Sequence, residues 1–198
     1  METPEQIAAV VRAAATGDDQ AWNALVDRFS GLVWSVARAH RLSSADAADV
    51  AQTTWLRLVE HLDRLRQPEH VGSWLATTAR RECLRVLRLA GRQEPVGDQA
   101  EPAAADSVEV SPELAALAAE RSALLRQSLQ ELSPRCQRLL RVLMADPAPS
   151  YQQVSAALDM PVGSIGPTRA RCLDCLRRRL QADRSGAERS PVAQVAKR

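Results

Sequence analysis

Cys172-Leu173-Asp174-Cys175 is the first place in this 198-residue chain to look for chemistry, since two thiols three residues apart can hold a metal ion or exchange a disulfide. A zinc site needs four ligands, and the other candidates, Cys83, Cys136 and three histidines, show no second paired spacing. No Cys, His and Glu set converges to support a thiol- or metal-dependent enzyme. The sequence therefore predicts no catalytic residue, no metal and no cofactor, with the cysteines as reduced thiols in helical cores and Asp174 as a solvated helix residue. The arginines are more informative. Net charge is only +2, so placement matters more than the sum. Thr77, Arg80, Arg81, Glu82, Arg85 and Arg88 recur with helical spacing, away from Leu75, Ala79 and Val86. Such a basic stripe suits a single nucleic-acid strand. At 100° per residue, Pro167, Arg171, Asp174 and Arg178 lie opposite Ile165, Cys172 and Leu176, so two further arginines point outward together and could grip phosphates.

The elements that must carry these residues are helices. Aromatics are 3% of the chain, Ala, Leu and Arg dominate, and the fold class is all-α. Trp22, Leu25, Val26, Phe29, Val33 and Val36 step by three and four; so do Val50, Ala51, Thr54, Leu58, Leu62 and Leu65, and again Trp74, Leu75, Ala79, Cys83, Val86 and Leu87. These three stripes make a small bundle in which Trp74 is a core residue. An earlier helix with Ile7, Val10 and Val11 on its apolar side ends near Thr16, before a restart capped at Asp18. Residues 91–112 hold Glu94, Asp98, Glu101, Asp106 and Glu109 against Arg92 alone, with prolines and no apolar period, and read as a flexible acidic linker. The predicted organisation is two small helical domains, 1–90 and 113–182, followed by a disordered tail over 183–198.

In the second domain one leucine-rich helix ends at Ser133-Pro134, and a second, with Cys136, Leu139, Leu140 and Leu143 inward, stops at Asp146-Pro147. Ser150-Tyr151-Gln152-Gln153 has the form of a capping box, opening a short helix with Val154, Ala157 and Leu158 inward. A turn at Asp159, a residue that tolerates positive φ, leads to the arginine-rich helix. Short helix, turn and basic helix form a helix-turn-helix, whose second helix enters the DNA major groove. Gly166-Pro167 marks the start of that helix. Either Gly166 is the cap and Pro167 lies in the first turn, or Ser164 is the cap and Pro167 is the third residue.

Two segments, "DAADVAQTTWLRLVEHL" (46–62) and "GSWLATTARRECLRVLR" (72–88), resemble the signature helices of region 2 in extracytoplasmic-function sigma factors of the sigma-70 family. Asp46, Asp49, Gln52, Thr54, Trp74, Leu75, Ala79 and Arg80 match position by position. "LQELSPRCQRLLRVL" with "SYQQVSAALDMPVGSI" is similar to region 4 of the same family. The resemblance implies a non-enzymatic initiation factor that binds core RNA polymerase and promoter DNA, recognising the minus-ten and minus-thirty-five elements and aiding melting. It implies that Asp46, Asp49, Gln52 and Thr53 dock on the clamp helices of the largest polymerase subunit, with a flap contact elsewhere, though Asp46 could simply favour the helix dipole.

By the same resemblance, the minus-ten element falls to Thr77, Arg80, Arg81, Arg85 and Arg88, with Gln67, Glu69 and His70 in the loop that captures a flipped base; His70 also reads as an ordinary polar loop residue. The minus-thirty-five element falls to Ser164, Gly166, Pro167, Thr168, Arg169, Arg171 and Arg178. Arg169 stands where relatives carry a core leucine, so it must turn outward. A separate anti-sigma protein is a further partner the resemblance suggests. With no signal peptide and no apolar run of about 20 residues, the expected location is cytoplasmic, without membrane insertion. The other readings are a stand-alone helix-turn-helix regulator that binds duplex DNA without polymerase, and a metal- or thiol-dependent enzyme using Cys172 and Cys175.

Overall fold

The computed structural model of the chain describes residues 3–91 and 112–188. The expected acidic linker and most of the expected tail lie outside the described residues. Among the described residues there are eight α-helices and no strand: α1 (Pro4–Ala15), α2 (Asp19–Ala39), α3 (Ser44–His61), α4 (Val71–Leu89), α5 (Pro112–Gln130), α6 (Pro134–Leu143), α7 (Tyr151–Leu158) and α8 (Val162–Glu188). Two short 3-10 turns, Leu62–Arg64 and Pro68–His70, join α3 to α4.

Local chemistry sets the helix starts. Thr3 and Gln6 form a capping box for α1, the Asp18 carboxylate accepts from the Gln20 and Ala21 amides, and the Ser43 hydroxyl accepts from the Asp46 amide. Gly17, at φ 91°, makes the left-handed turn between α1 and α2 that a side chain would strain. The expected capping box at Ser150 and Gln153 opens α7. Asp159 ends it in the left-handed region, at φ 56° and ψ 49°.

The contacts divide the chain into two compact units. The described part of the first comprises 3–91 and 138–165. Its core takes Leu25, Phe29, Val33 and Val36 from α2, Val50, Ala51 and Leu58 from α3, and Leu75, Ala79 and Cys83 from α4, all buried. Each such leucine contributes roughly 2 kcal/mol by leaving water. Val11 and Ala8 of α1 are buried as well, and α1 packs on α2. This unit also holds α7, which packs along α4.

The described part of the second unit comprises 112–137 and 166–188. Buried Gln137 closes the end of α5: its Nε2 donates to the carbonyls of Gln130 and Leu132, both at 2.7 Å. Arg179 pairs with Glu131. Cys136 and Cys172, with Cα atoms 5.4 Å apart, are joined by a disulfide across 36 residues of sequence. This corrects the expectation of four reduced thiols; the free ones are Cys83 and Cys175.

α8 corrects two further expectations. It begins at Val162, so neither Gly166 nor Ser164 is its cap and Pro167 is an interior residue. Gly166, with no Cβ to meet the proline Cδ, relieves part of the strain, while the ring still removes the amide that would have bonded the Gly163 carbonyl. At the other end the helix runs to Glu188, into the stretch expected to be disordered. Ala182, Arg184, Ala187 and Glu188 favour helix there.

Candidate polymerase and nucleic-acid interfaces

α3 buries Ala47, Val50, Ala51, Thr54 and Leu58, which leaves Asp49 and Gln52 exposed on its other side and Thr53 half-buried. Leu56 continues the open face at 57% exposure. Asp46 is committed locally: its carboxylate accepts from the Ser43 hydroxyl at 2.7 Å while its amide donates back at 3.1 Å. That reciprocal arrangement caps the start of α3. Beside the carboxyl end of α3 a cleft of about 520 Å³ opens, lined by Asp18, Asp19, Trp22, Glu60 and Asp63 among others. No cluster of metal-binding groups occurs among the described residues.

α4 turns Arg81, Arg85 and Arg88 to solvent, with Thr77 half-buried and bonded to the Ser73 carbonyl at 2.9 Å. Glu82, read as part of the basic stripe, is instead buried at 3% exposure. It accepts ion pairs from Arg57 of α3 at 2.8 Å and from Arg85 at 2.7 Å, so Arg85 is partly held. Arg80 is three-quarters buried and pairs with Asp159, with Nη2 to Oδ2 at 2.6 Å. Arg88 Nε donates to the Leu84 carbonyl at 3.2 Å. Just before α4, Gln67 caps the second 3-10 turn and its carbonyl accepts from the His70 amide at 3.0 Å; Glu69 faces His70 at 3.8 Å. Gln67 and His70 are exposed and Glu69 is partly so. Trp74 is half-buried, its ring 6.1 Å from that of His61.

Of the α8 residues expected at the minus-thirty-five element, Pro167, Arg169, Arg171 and Arg178 are exposed, with Ser164 and Gly166 half-buried. Arg169 turns outward. Thr168 is buried, and its hydroxyl stands 3.5 Å from Arg171, which also reaches the Pro167 carbonyl at 3.4 Å. Arg178 pairs with Asp174 one turn back at 3.3 Å.

Sequence reasoning missed three groups. Glu82 sits among arginines, and only its i,i+3 relation to Arg85 hinted at a pair. Asp159 looked like a turn residue alone. Cys136 carried no local signal for its partner.

The Sigma-70 region 2 family model matches residues 25–93. The ECF RNA polymerase sigma-E factor of Escherichia coli strain K12 is 25% identical over 163 residues, covering 79% of this chain and 84% of that protein. The RNA polymerase sigma-H factor of Pseudomonas aeruginosa is 28% identical over 173 residues, covering 83% and 89%. Among solved structures, CnrH in complex with the cytosolic domain of CnrY shares the fold, with a TM-score of 0.57 and 22% identity over 89% of this chain and 98% of that one.

Proposed function

The chain belongs to the extracytoplasmic-function group of the sigma-70 family, and on that premise we propose that it binds core RNA polymerase and reads promoter DNA at two elements. It is a polymerase-binding transcription initiation factor. The exposed face of α3, with Asp49 and Gln52 foremost and Thr53 beside them, docks on the clamp helices of the largest subunit, where carboxylate and amide meet a basic partner. A second contact runs to the flap.

The minus-ten element is taken as a melted strand along α4, by Arg81 and Arg88 with Thr77, Arg80 and Arg85 in support. Gln67, Glu69 and His70 frame the place for an unstacked base. The minus-thirty-five element is read in duplex form by the outward side of α8: Arg169, Arg171 and Arg178 reach phosphates or base edges, near Gly166 and Pro167. The promoter-reading parts correspond to residues 1–90 and 113–182. Such a factor works where the chromosome is, in the cytoplasm, and no described helix is long and apolar enough to cross a membrane. By likeness to CnrH, solved with the cytosolic domain of CnrY, a small protein partner is expected to hold the free factor.

The observation that carries this reading is the division of labour between two adjacent helices of the first unit. α3 exposes Asp49 and Gln52, whereas α4 exposes Arg81, Arg85 and Arg88. One face suits a basic protein surface and the other a polyanion. The test is co-elution with bacterial core polymerase on gel filtration, followed by a DNA shift with and without the polymerase. The proposal expects a one-to-one complex and a specific shift only in its presence. A specific duplex shift by the chain alone, with no co-elution, would make it a stand-alone regulator.

A further inference from the structure

Arg57 belongs neither to the docking residues of α3 nor to the arginine stripe of α4, yet it is tied to the second. At about 100° per residue it lies about 80° around α3 from Asp49 and about 140° from Gln52, on the flank turned to α4. His61, one turn further on, marks the same flank, with its ring 6.1 Å from that of Trp74 on α4.

Glu82 makes the tie. Its Oε1 takes Arg57 Nη2 at 2.8 Å and its Oε2 takes Arg85 Nε at 2.7 Å, so both carboxylate oxygens are engaged. The carboxylate side chain is 4% exposed, whereas the two arginines are 47% and 50% exposed. One buried anion thus stands behind two half-exposed cations that come from different helices. Two guanidinium groups against one carboxylate leave an excess positive charge at the surface, and each guanidinium has five N–H donors, more than this pairing uses. A long side chain that grips a phosphate ordinarily gives up rotamer freedom in doing so. Here the carboxylate has already taken it, which favours anion binding by preorganisation.

We propose that Arg57 is a further DNA-binding residue: with Arg85 it grips a backbone phosphate of the melted promoter strand between α3 and α4, and Glu82 is the positioning residue that holds both guanidinium groups. The inference rests on the assignment of α4 to the promoter strand. It widens that surface onto α3, by a contact that is blind to base sequence because it is made to phosphate.

The test uses the full chain bound to core polymerase, with core polymerase alone as the blank. Fluorescence anisotropy reads two labelled single-stranded 20-mers of unrelated sequence over a range of salt, while circular dichroism and co-elution confirm folding and complex formation. Arg57→Ala should weaken both strands alike, by about tenfold. It should also lower the slope of log affinity against log salt by about 0.7, the share of one phosphate on a single strand. Arg57→Lys should restore the slope but only part of the affinity, because an ammonium lacks the planar fork. Glu82→Gln removes an anion, so charge alone would tighten the complex; loss of positioning should weaken it instead.

A weaker complex with an unchanged salt slope in Arg57→Ala would reduce the residue to a structural role and overturn the proposal. Loss of co-elution with strand binding intact would place Arg57 on the polymerase face and overturn it too. Tighter binding by Glu82→Gln would strip Glu82 of its positioning role; if that variant fails to fold, the two Arg57 variants decide. Arg81→Ala separates this inference from the reading beneath it. A lower slope in Arg81→Ala but not in Arg57→Ala would sink the Arg57 contact alone, and no change in either would sink the assignment of α4 to the strand.

Discussion

Arg57 on α3 and Glu82 on α4 lie 2.8 Å apart, and the carboxylate, with its side chain 4% exposed, is shared with Arg85 at 2.7 Å. One buried anion thus couples the face proposed for polymerase to the face proposed for DNA. Glu82→Gln keeps the volume but removes the charge that both guanidinium groups neutralise, and should lower stability by about 2 kcal/mol. Arg57→Ala should cost less, about 1 kcal/mol or below, because its side chain is half-exposed and Arg85 remains. Urea denaturation of the three proteins checks the order; equal losses would deny Glu82 its central position.

The Cys136–Cys172 bond closes a loop across 36 residues. On the chain-entropy account, losing it by Cys136→Ser or by reduction should cost about 4 kcal/mol, read as a lower unfolding midpoint. Thiol titration of the non-reduced protein should find two free thiols. Cys175, half-exposed, should react first; Cys83, fully buried with a thiol pushed up to about 12 by burial, should react only on unfolding. Four reactive thiols in denatured, non-reduced protein would refute the bond.

His40 supplies a pH dependence. Its ring is buried and Nδ1 lies 3.1 Å from the Val36 carbonyl oxygen. Burial is the main cause that holds its pKa below the ordinary value; the Val36 acceptor opposes it, and Arg138 and Arg80 push it lower again. Below about pH 6.5 the unfolded chain takes up a proton that the native ring resists. Stability should therefore fall as the pH drops from about 6.5 towards the native value, by at most about 1.4 kcal/mol per pH unit from this group. His40→Gln should flatten the urea midpoint between pH 7 and pH 5. An unchanged slope would assign the dependence to other groups.

Asp49 and Arg81 are both exposed, so neither supports the core. Asp49→Ala should weaken association with core polymerase about tenfold while leaving strand binding intact, and Arg81→Ala should do the reverse. Parallel losses in both assays would point to general damage.

Much of this architecture was legible in the chain because the signals are local. Leu25, Phe29, Val33 and Val36 announce the buried side of α2 by period alone, Ser150 and Gln153 write a capping box, and Asp159 takes the left-handed turn its type allows. Pro167 misled because the rule against helix before proline rests in part on a Cβ clash, and Gly166 has no Cβ. The pairings were illegible for a different reason. Arg80 and Asp159 are 79 residues apart, and Cys136 and Cys172 are 36 apart, so each depends on how helices come together and not on any spacing along one of them.

Promoter-directed initiation is what the α3 and α4 faces must deliver together. Purified chain is added to bacterial core polymerase with a genomic promoter library, and transcript starts are mapped. Transcripts are expected from a small set of promoters sharing two short elements, lost with Asp49→Ala and reduced with Arg81→Ala. Transcripts no different from those of core polymerase alone would contradict it.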